Sequence, residues 1–266
     1  MKTRSKASKC LITISALLFA FSSVTWGAAQ TSKDSSENNA DSDVVKRINN
    51  ATKVLNEIMA TPDKGIPDNV FADARCVAVI PSMIKIAIGF GGNHGKGVAT
   101  CRTPNGWSAP SPITITGGSW GLQLGGQAVD LVLLVMNQQG MDNLLASKFK
   151  VGADASAAAG PVGRHAEAST DWKMKAQVLS YSRARGVFAG VDLNGSAITQ
   201  DKDETRILYG KMVPFADILG GKVPAPAGAH DFLATVRKYA SESAEKKESG
   251  SLNTPAENTT ATAAHN

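Results

Sequence analysis

The chain has few residues of the kinds that hold metal ions. Only three cysteines and four histidines occur in 266 residues. His94, His165 and His230 lie far apart and lack the spacing of a ligand set. Two cysteines without a clustered histidine pair are not typical of a zinc site. The sequence therefore predicts no metal site and no cofactor.

The apolar run near the N-terminus is too short for a comfortable membrane span. Cys10–Phe21 has the length of a signal-peptide core, follows four basic residues and precedes the small residues Gly27-Ala28-Ala29. We expect residues 1–29 to be a signal peptide and the mature chain to be exported, periplasmic or secreted. A retained N-terminal anchor is the alternative.

The chain has no strong excess of one charge. Its formal net charge is +5, but residues 1–29 hold four basic and no acidic residues, so the chain after them is near +1. Within residues 43–240 the count is 21 basic and 16 acidic residues. This balance is too low for a dedicated nucleic-acid binder but suits weak attraction to anionic surfaces. We expect no nucleic-acid partner.

Both ends of the predicted mature chain lack apolar content. Residues 30–42 and 241–266 are rich in Ser, Thr, Asn, Ala and charged residues, so they bury too little to offset ordering entropy. We expect a disordered linker over 30–42, a single domain over 43–240, and a disordered tail over 241–266. About 200 residues are enough for one real core.

Two cysteines lie beyond the predicted signal peptide. Cys76 and Cys101 both fall in strand-like runs, and an even pair in an oxidising compartment indicates a possible disulfide between neighbouring strands. Two buried free thiols are the alternative.

Glycine and strand-like runs dominate the centre of the chain. Ile113–Thr116 and Val129–Met136 flank a span with five glycines, which indicate bulges, bends or close backbone approaches. Ile84–Gly91 and Gly97–Arg102 look like strands joined by a glycine-rich turn, GGNHGK, whose amides could receive a phosphate.

Helical patterns lie at the ends of the domain. Ile198–Tyr209, Phe215–Leu219 and His230–Tyr239 have helical patterns, and strands in hairpin order precede them. We predict an α+β fold with a strongly bent, mainly antiparallel, barrel-like sheet, an N-terminal amphipathic helix and C-terminal helices.

The N-terminal helix is predicted over Asp43–Ala60, where apolar residues recur at three- and four-residue steps. Lys46, Arg47 and Lys53 lie off this apolar stripe. Such a helix either packs its stripe on the sheet or lies on an anionic bilayer with that face down.

Basic residues concentrate in one later window. Residues 148–185 carry seven basic and three acidic residues. Three pairs in this window have i, i+2 spacing, which places both charges of a pair on one face of a strand. The predicted headgroup-binding residues of the window are Lys148, Lys150, Arg164, Lys173, Lys175, Arg183 and Arg185. An ordinary solvated basic surface is the alternative.

A hydrolase motif is present but poorly placed. Gly117-Gly118-Ser119-Trp120-Gly121 matches G-x-S-x-G, which needs a strand, a sharp turn and then a helix. The residues after Ser119 begin a helix poorly. A serine esterase is therefore the weakest alternative, and we predict no enzyme.

Several motifs, in this order, resemble the SYLF domain family over roughly Asp43–Ala240. They are CVAVIPSM (76–83), GGNHGKGVATCR (91–102), GWSAPSPI (106–113), TGGSWGLQLGGQAVDLVLLVMN (116–137), SKFKVGADASAAAGPVGR (147–164) and YSRARGVFAGVDLNG (181–195). The resemblance implies a non-enzymatic domain that binds acidic phospholipids, including phosphatidylinositol lipids, and whose N-terminal region contacts lipid. The actin-binding role of eukaryotic members is not expected of an exported chain. An envelope module that binds a protein or polysaccharide is the alternative, and oligomeric state is left open.

Overall fold

A computed structural model describes the chain over residues 31–61, 65–88, 90–120, 125–146, 148–161, 176–184, 187–189, 193 and 195–252. Within these ranges the strands form one large sheet, and all the helices except a short one at Gln138–Leu145 come before its first strand or after its last, as predicted. The helices are α1 (Thr31–Met59), α2 (Asp68–Asp73), α3 (Gln138–Leu145), α4 (Lys202–Tyr209), α5 (Phe215–Leu219) and α6 (His230–Leu252), with a 3-10 turn at Ala227–Ala229.

The strands follow one another mostly in hairpin order. They are β1 (Cys76–Ile88), β2 (Phe90–Thr103), β3 (Gly106–Trp107), β4 (Ser111–Trp120), β5 (Gly125–Val135), β6 (Lys148–Lys150), β7 (Ala157–Ala159), β8 (Val178–Ala184), β9 (Val187–Ala189) and β10 (Ser196–Gln200).

The sheet is almost entirely antiparallel. Its strand order is β6-β10-β4-β2-β1-β5-β8-β7, while β3 pairs with β2 and β9 pairs with β8. The pairing of β7 with β8 is the parallel one. The α+β class and the strongly bent antiparallel sheet predicted from the sequence are thus confirmed.

A short segment of chain shows why the sheet curls. Val151 donates to the carbonyl of Ser196 beside β10, and Ser156 accepts from the amides of Gln177 and Val178 beside β8. A flat sheet would separate β6 from β7 by seven strand spacings, about 34 Å. The five residue steps from Val151 to Ser156 span at most about 18 Å. The sheet therefore has to bend into a half-barrel that brings its two edges together.

The two faces of this curled sheet carry separate cores. Cys76, Ala78 and Ile80 of β1 point to the inner face and pack there with side chains such as Phe149. Val77 and Val79 point to the outer face and pack with α1, α2 and α6. Both faces of the central strands are thus apolar, and the alternation of side chains along β1 is set by burial on two sides.

The glycine-rich segment GGNHGK lies inside a strand, and the predicted turn there is wrong. Residues 91–96 belong to β2 and pair with β1 on one side and with β4 on the other. Within the segment, a Cβ on Gly95 would lie 2.7 Å from Ile80 Cγ2. Just beyond it, a Cβ on Gly97 would lie 2.1 Å from the Val79 carbonyl oxygen, and on the neighbouring strand one on Gly117 would lie 2.4 Å from Ser196 Oγ. Glycine at these positions permits close packing and does not mark a turn.

The strand β1 continues through Pro81, although proline is rare inside a central strand. The register with β2 and with β5 shifts on either side of Pro81 and Ser82, so the strand bulges there. Ser82 has a positive φ of 51°, and its amide donates to Asp130 Oδ1 at 3.0 Å. A bulge accommodates the proline within a central strand because the proline's missing N–H falls outside the regular ladder.

Three helix boundaries differ from the predicted ones. The predicted helix Ile198–Tyr209 is divided, because residues 196–200 pair with β4 and α4 starts only after Asp201. The helix α1 begins at Thr31 and includes most of the predicted linker 30–42, and α6 runs on to Leu252 in the predicted tail. Residues 31–59 contain no Gly or Pro, so no residue in that stretch ends the helix.

We expect Gly97→Ala to lower the free energy of unfolding by about 1–3 kcal/mol, because the added methyl group meets the Val79 carbonyl and the Ile80 Cα. Gly126→Ala is the matched control, since a Cβ there has nothing within 4 Å. We expect it to stay within about 0.5 kcal/mol of the wild type. Urea denaturation followed by circular dichroism measures both values. Equal stability of the two variants would contradict the close approach.

Candidate functional site

The helix α1 buries its apolar stripe on the outer face of the sheet. Val44, Ile48, Leu55 and Ile58 are at most 2% exposed and belong to the outer core. The helix contacts β1, β2, α4 and α6. The packing alternative for this helix is thus the one that the structure shows, and its apolar face is not available to a bilayer in this state.

One half of α1 is held by a compact group of charges. Arg47 donates through Nε and Nη2 to the two oxygens of Glu204, at 3.1 and 2.9 Å. Lys96 Nζ of β2 lies 3.1 Å from Glu204 Oε1 and 2.7 Å from Asp201 Oδ2. The side chains of Asp201 and Glu204 are each 8% exposed, so these carboxylates are nearly removed from water.

Asp201 also builds the start of α4. Its Oδ1 accepts from the Glu204 amide at 3.0 Å, and its Oδ2 accepts from the Thr114 hydroxyl at 3.0 Å. Burial alone would raise the pKa of Asp201, but the Glu204 amide and the Lys96 ammonium together outweigh burial and hold that pKa below its usual value. Burial alone would likewise lower the pKa of Lys96, but its two carboxylate partners outweigh burial and raise that pKa above its usual value. Asp201 and Lys96 are therefore both ionised at neutral pH.

The other half of α1 is held by a second ion pair. Arg183 of β8 pairs with Glu57 of α1, and its Nη2 lies 3.4 Å from Asp130 Oδ2 of β5. Asp130 and Arg183 face each other directly in the register of β5 and β8. Because Asp130 also accepts from the Ser82 amide at the bulge of β1, this pair joins α1 to three strands.

The structure gives two of the predicted lipid-binding residues such partners, namely Arg47 and Arg183. Lys46 pairs with Asp43 at 3.3 Å on the exposed side of α1. Lys53 and Lys150 are exposed and form no ion pair with a described residue. Lys148 lies in β6, and its side chain is outside the described part. Arg164, Lys173, Lys175 and Arg185 lie outside the described residues. Lipid binding by all of these residues stays a prediction.

The structure does not place Lys150 and Arg183 on neighbouring strands, although both belong to one basic window of the sequence. Five strands separate β6 from β8 in the sheet. Lys150 instead lies at one end of a register row, a line of directly paired residues that crosses six strands. The row consists of Lys150, Ala197, Thr116, His94, Ile84 and Ala128.

This row belongs to a part of the outer face on which none of the described helices lies. We call this part the uncovered end. Its members are exposed and sit on the outer face of the four central strands, beyond the bulge of β1. They are Ile84, Ile86, Gly92, His94, Thr116, Gly118, Gly126 and Ala128. Ile84 is 51% and Ile86 is 54% exposed, which is unusual for isoleucines in the centre of a large sheet.

The sequence did not single out Lys96, Asp201, Glu204 or the two exposed isoleucines. The alternation Ile84-Lys85-Ile86 predicts a strand, but alternation does not tell which face another element covers. Lys96 was assigned to a turn. The Asp201-x-x-Glu204 spacing, with an acidic residue three positions after a possible N-cap, is a signal that could have placed the start of α4 correctly.

The structure bears directly on two hypotheses from the sequence, the serine esterase and the disulfide. Ser119 lies in β4, and the next described element is strand β5, whereas a nucleophile elbow leads into a helix. This order gives no support to an esterase. Cys76 and Cys101 face each other across β1 and β2, and the structure joins them in a disulfide. Within the described residues no helix is long and apolar enough to cross a bilayer.

The described part of the chain is thus one curled, mainly antiparallel sheet with a core on each face and helices on part of its outer face. Residues 116–239 match the family described as Ysc84, Las17-binding protein actin regulator. "SH3 domain-containing YSC84-like protein 1" of Rattus norvegicus is 34% identical over 196 residues, which are 71% of this chain and 57% of the relative. "Protein YSC84" of Saccharomyces cerevisiae is 33% identical over 184 residues, which are 67% of this chain and 39% of the relative.

The chain belongs, through this domain, to the Ysc84 (SYLF) family, as the motif resemblance predicted. The family is one of binding domains. The chain spans little more than half the length of the rat relative, and less than half of the yeast one.

We expect Asp201→Asn to lower the free energy of unfolding at neutral pH by about 1–3 kcal/mol, because Lys96 loses its shorter ion pair in a nearly buried place. The folded-state pKa of Asp201 lies below the unfolded-state value of about 3.9. Its contribution to stability is therefore complete above that value and is lost as the pH falls through the folded-state pKa. The deficit of the variant should therefore be larger at about pH 7 than at about pH 3, measured by urea denaturation.

The control for this experiment is Asp203→Asn. The Asp203 side chain is 87% exposed and pairs only with Arg206 in the next turn of α4, so we expect little change at either pH. Equal losses for the two variants, or a deficit of Asp201→Asn that does not depend on pH, would show that the buried carboxylate is not a stabilising ion-pair partner.

Proposed function

We propose that this protein is an exported, non-enzymatic domain that binds the headgroups of anionic phospholipids at a membrane surface. The observation that carries the proposal is the separation of its cations into two groups. Arg47, Arg183 and Lys96 are occupied by carboxylates, whereas Lys53 and Lys150 are exposed and available to an outside anion.

The electrostatics support a weak and reversible interaction. The domain carries 21 basic and 16 acidic residues between tails with an acidic excess. Each cation near an anionic membrane surface contributes about 1 kcal/mol of attraction. Lysine is suited to this role because its ammonium is a compact point charge on a flexible stem. The family description names Las17 binding and actin regulation, which are properties of relatives, and an exported domain would not meet those partners.

We expect the mature chain (residues 30–266) to co-sediment with vesicles that contain anionic phospholipid, and to bind less as salt is raised. Neutral vesicles should bind it weakly. Lys53→Glu/Lys150→Glu should weaken binding to anionic vesicles by more than about tenfold, because two attractive charges become repulsive.

Lys211→Glu/Lys222→Glu is the control with the same change in net charge. These two lysines are exposed near the opposite end of the sheet, where Gly221 approaches Thr103. This variant should keep most of the affinity. Equal loss in both variants would reduce the interaction to net charge alone. No binding of the wild type to any vesicle would overturn the proposal and favour an envelope protein or polysaccharide as the partner.

The disulfide supports export, because disulfides persist in oxidising compartments. Cys76 and Cys101 are fully buried, so their state has to be probed in denaturant. We expect the protein recovered from the envelope or medium of a bacterial host to resist alkylation in denaturant until a reductant is added. Mass spectrometry would then show two alkyl groups. The control is residues 30–266 produced without a signal peptide in the reducing cytoplasm. Two alkylated thiols in the exported protein without reductant would contradict the proposal.

A further inference from the structure

The uncovered end differs from an ordinary solvated sheet surface in composition. Its eight members include two isoleucines, an alanine and three glycines, and none of the eight carries a carboxylate. Ile84 is flanked in its register row by His94 and Ala128, and Ile86 by Gly92 and Gly126. Small neighbours leave the isoleucine side chains standing above the sheet. Isolated exposed apolar residues are common on protein surfaces. Here two of them are adjacent in the middle of the sheet, and no described element covers them.

Large apolar residues continue toward the tip of the same strands. The register pairs Ile88 with Phe90, and Phe90 with Trp120. The last register row of β1, β2 and β4 thus consists of Ile88, Phe90 and Trp120.

Two exposed lysines lie near this apolar area. Lys150 occupies the β6 end of the same register row as Ile84. On α1, Lys46, Asn50, Lys53 and Glu57 recur at three- and four-residue steps along one side, and Glu57 reaches Arg183 beside the uncovered end. Lys53 is thus one helical turn from the contact that marks the border between the covered and the uncovered part of the outer face.

We propose that the uncovered end is the membrane-contact surface of this protein, with Ile84 and Ile86 entering the apolar part of the interface and Lys53 and Lys150 meeting headgroups at its rim. The inference rests on the proposed function and adds to it a hydrophobic anchor on the sheet. It also assigns to the sheet the contact that the sequence suggested for α1, because the apolar face of α1 is already buried on the core.

Charge and geometry favour a lipid surface over other occupants. An added peptide strand has no place on this face, because β1 and β2 are paired on both sides at the uncovered end. A strand added at the edge of β5 would lie beside the face that carries Ile84 and Ile86 and would not cover it. A second copy would bring Lys53 and Lys150 toward their own counterparts, and two isoleucines fall far short of the roughly 800 Å² per partner of a stable interface. An anionic bilayer accepts both features, since it offers negative headgroups above an apolar interior.

The test compares Ile84→Ser/Ile86→Ser with Met212→Ser in the mature chain, using vesicles with and without anionic lipid at low and high salt. Among the residues whose burial the structure describes, Met212 is the third large apolar residue that is exposed, at 37%, but it lies beyond α4 and far along the sequence from the uncovered end. We expect the isoleucine variant to bind anionic vesicles at least about tenfold more weakly at every salt concentration, with the salt dependence unchanged. Met212→Ser should bind as the wild type does.

A second measurement does not depend on loss of binding. Ile86→Trp should gain fluorescence quenching by lipids brominated in their acyl chains, relative to the parent chain with its native tryptophans, whereas Met212→Trp should not. Normal binding by Ile84→Ser/Ile86→Ser together with no added quenching of Ile86→Trp would overturn the inference and leave the proposed function standing. Failure of the wild type to bind any vesicle would instead remove the proposed function itself.

Discussion

The segment from Val151 to Ser156 is the constraint on which the shape of the domain depends. It ties the chain beside β10 to the chain beside β8 through backbone hydrogen bonds, and it is too short to cross a flat sheet of this width. The sheet therefore curves around the inner core, and its outer face is the convex surface on which the helices pack. A longer connection would permit a flatter sheet, which would separate the inner side chains, such as Ile113 and Phe149, that now share one core.

The curled sheet leaves α1 to cover only part of the outer face, and two groups of charges fix where that part ends. Arg47 meets Glu204 toward one side of the sheet, and Glu57 meets Arg183 toward the other. Apolar packing gives α1 most of its stability but little preference for one angle, since packing is not directional. Ion pairs with nearly buried carboxylates add direction. The same residues that the sequence suggested as lipid ligands thus set the border of the uncovered end.

The sequence predicted the fold class, the family, and the existence and type of most elements, because strand alternation and the apolar stripe of α1 follow directly from burial. It did not predict the place of GGNHGK, since glycines that permit close backbone approach have the same composition as glycines in a turn. The strand 196–200 was missed for a related reason: it pairs with β4, far away in sequence, and the helical pattern of the following residues overlapped it. The uncovered end depends on which part of a face the helices reach, and this is a property of tertiary structure alone.

The division of the cations follows from their chemistry. The arginines of the described candidate set, Arg47 and Arg183, both contact carboxylates, because a planar guanidinium presents several donors in a fixed geometry and loses less on leaving water. The exposed candidates without a described carboxylate partner, Lys53 and Lys150, are lysines, whose strongly hydrated ammonium groups gain little from burial but retain long-range attraction to an anionic surface. The arginines that hold the structure together are thus paired with carboxylates, and the exposed lysines remain available to an outside anion. The proposed contact with lipid would then form and break without disturbing the ion pairs that hold α1 on the sheet.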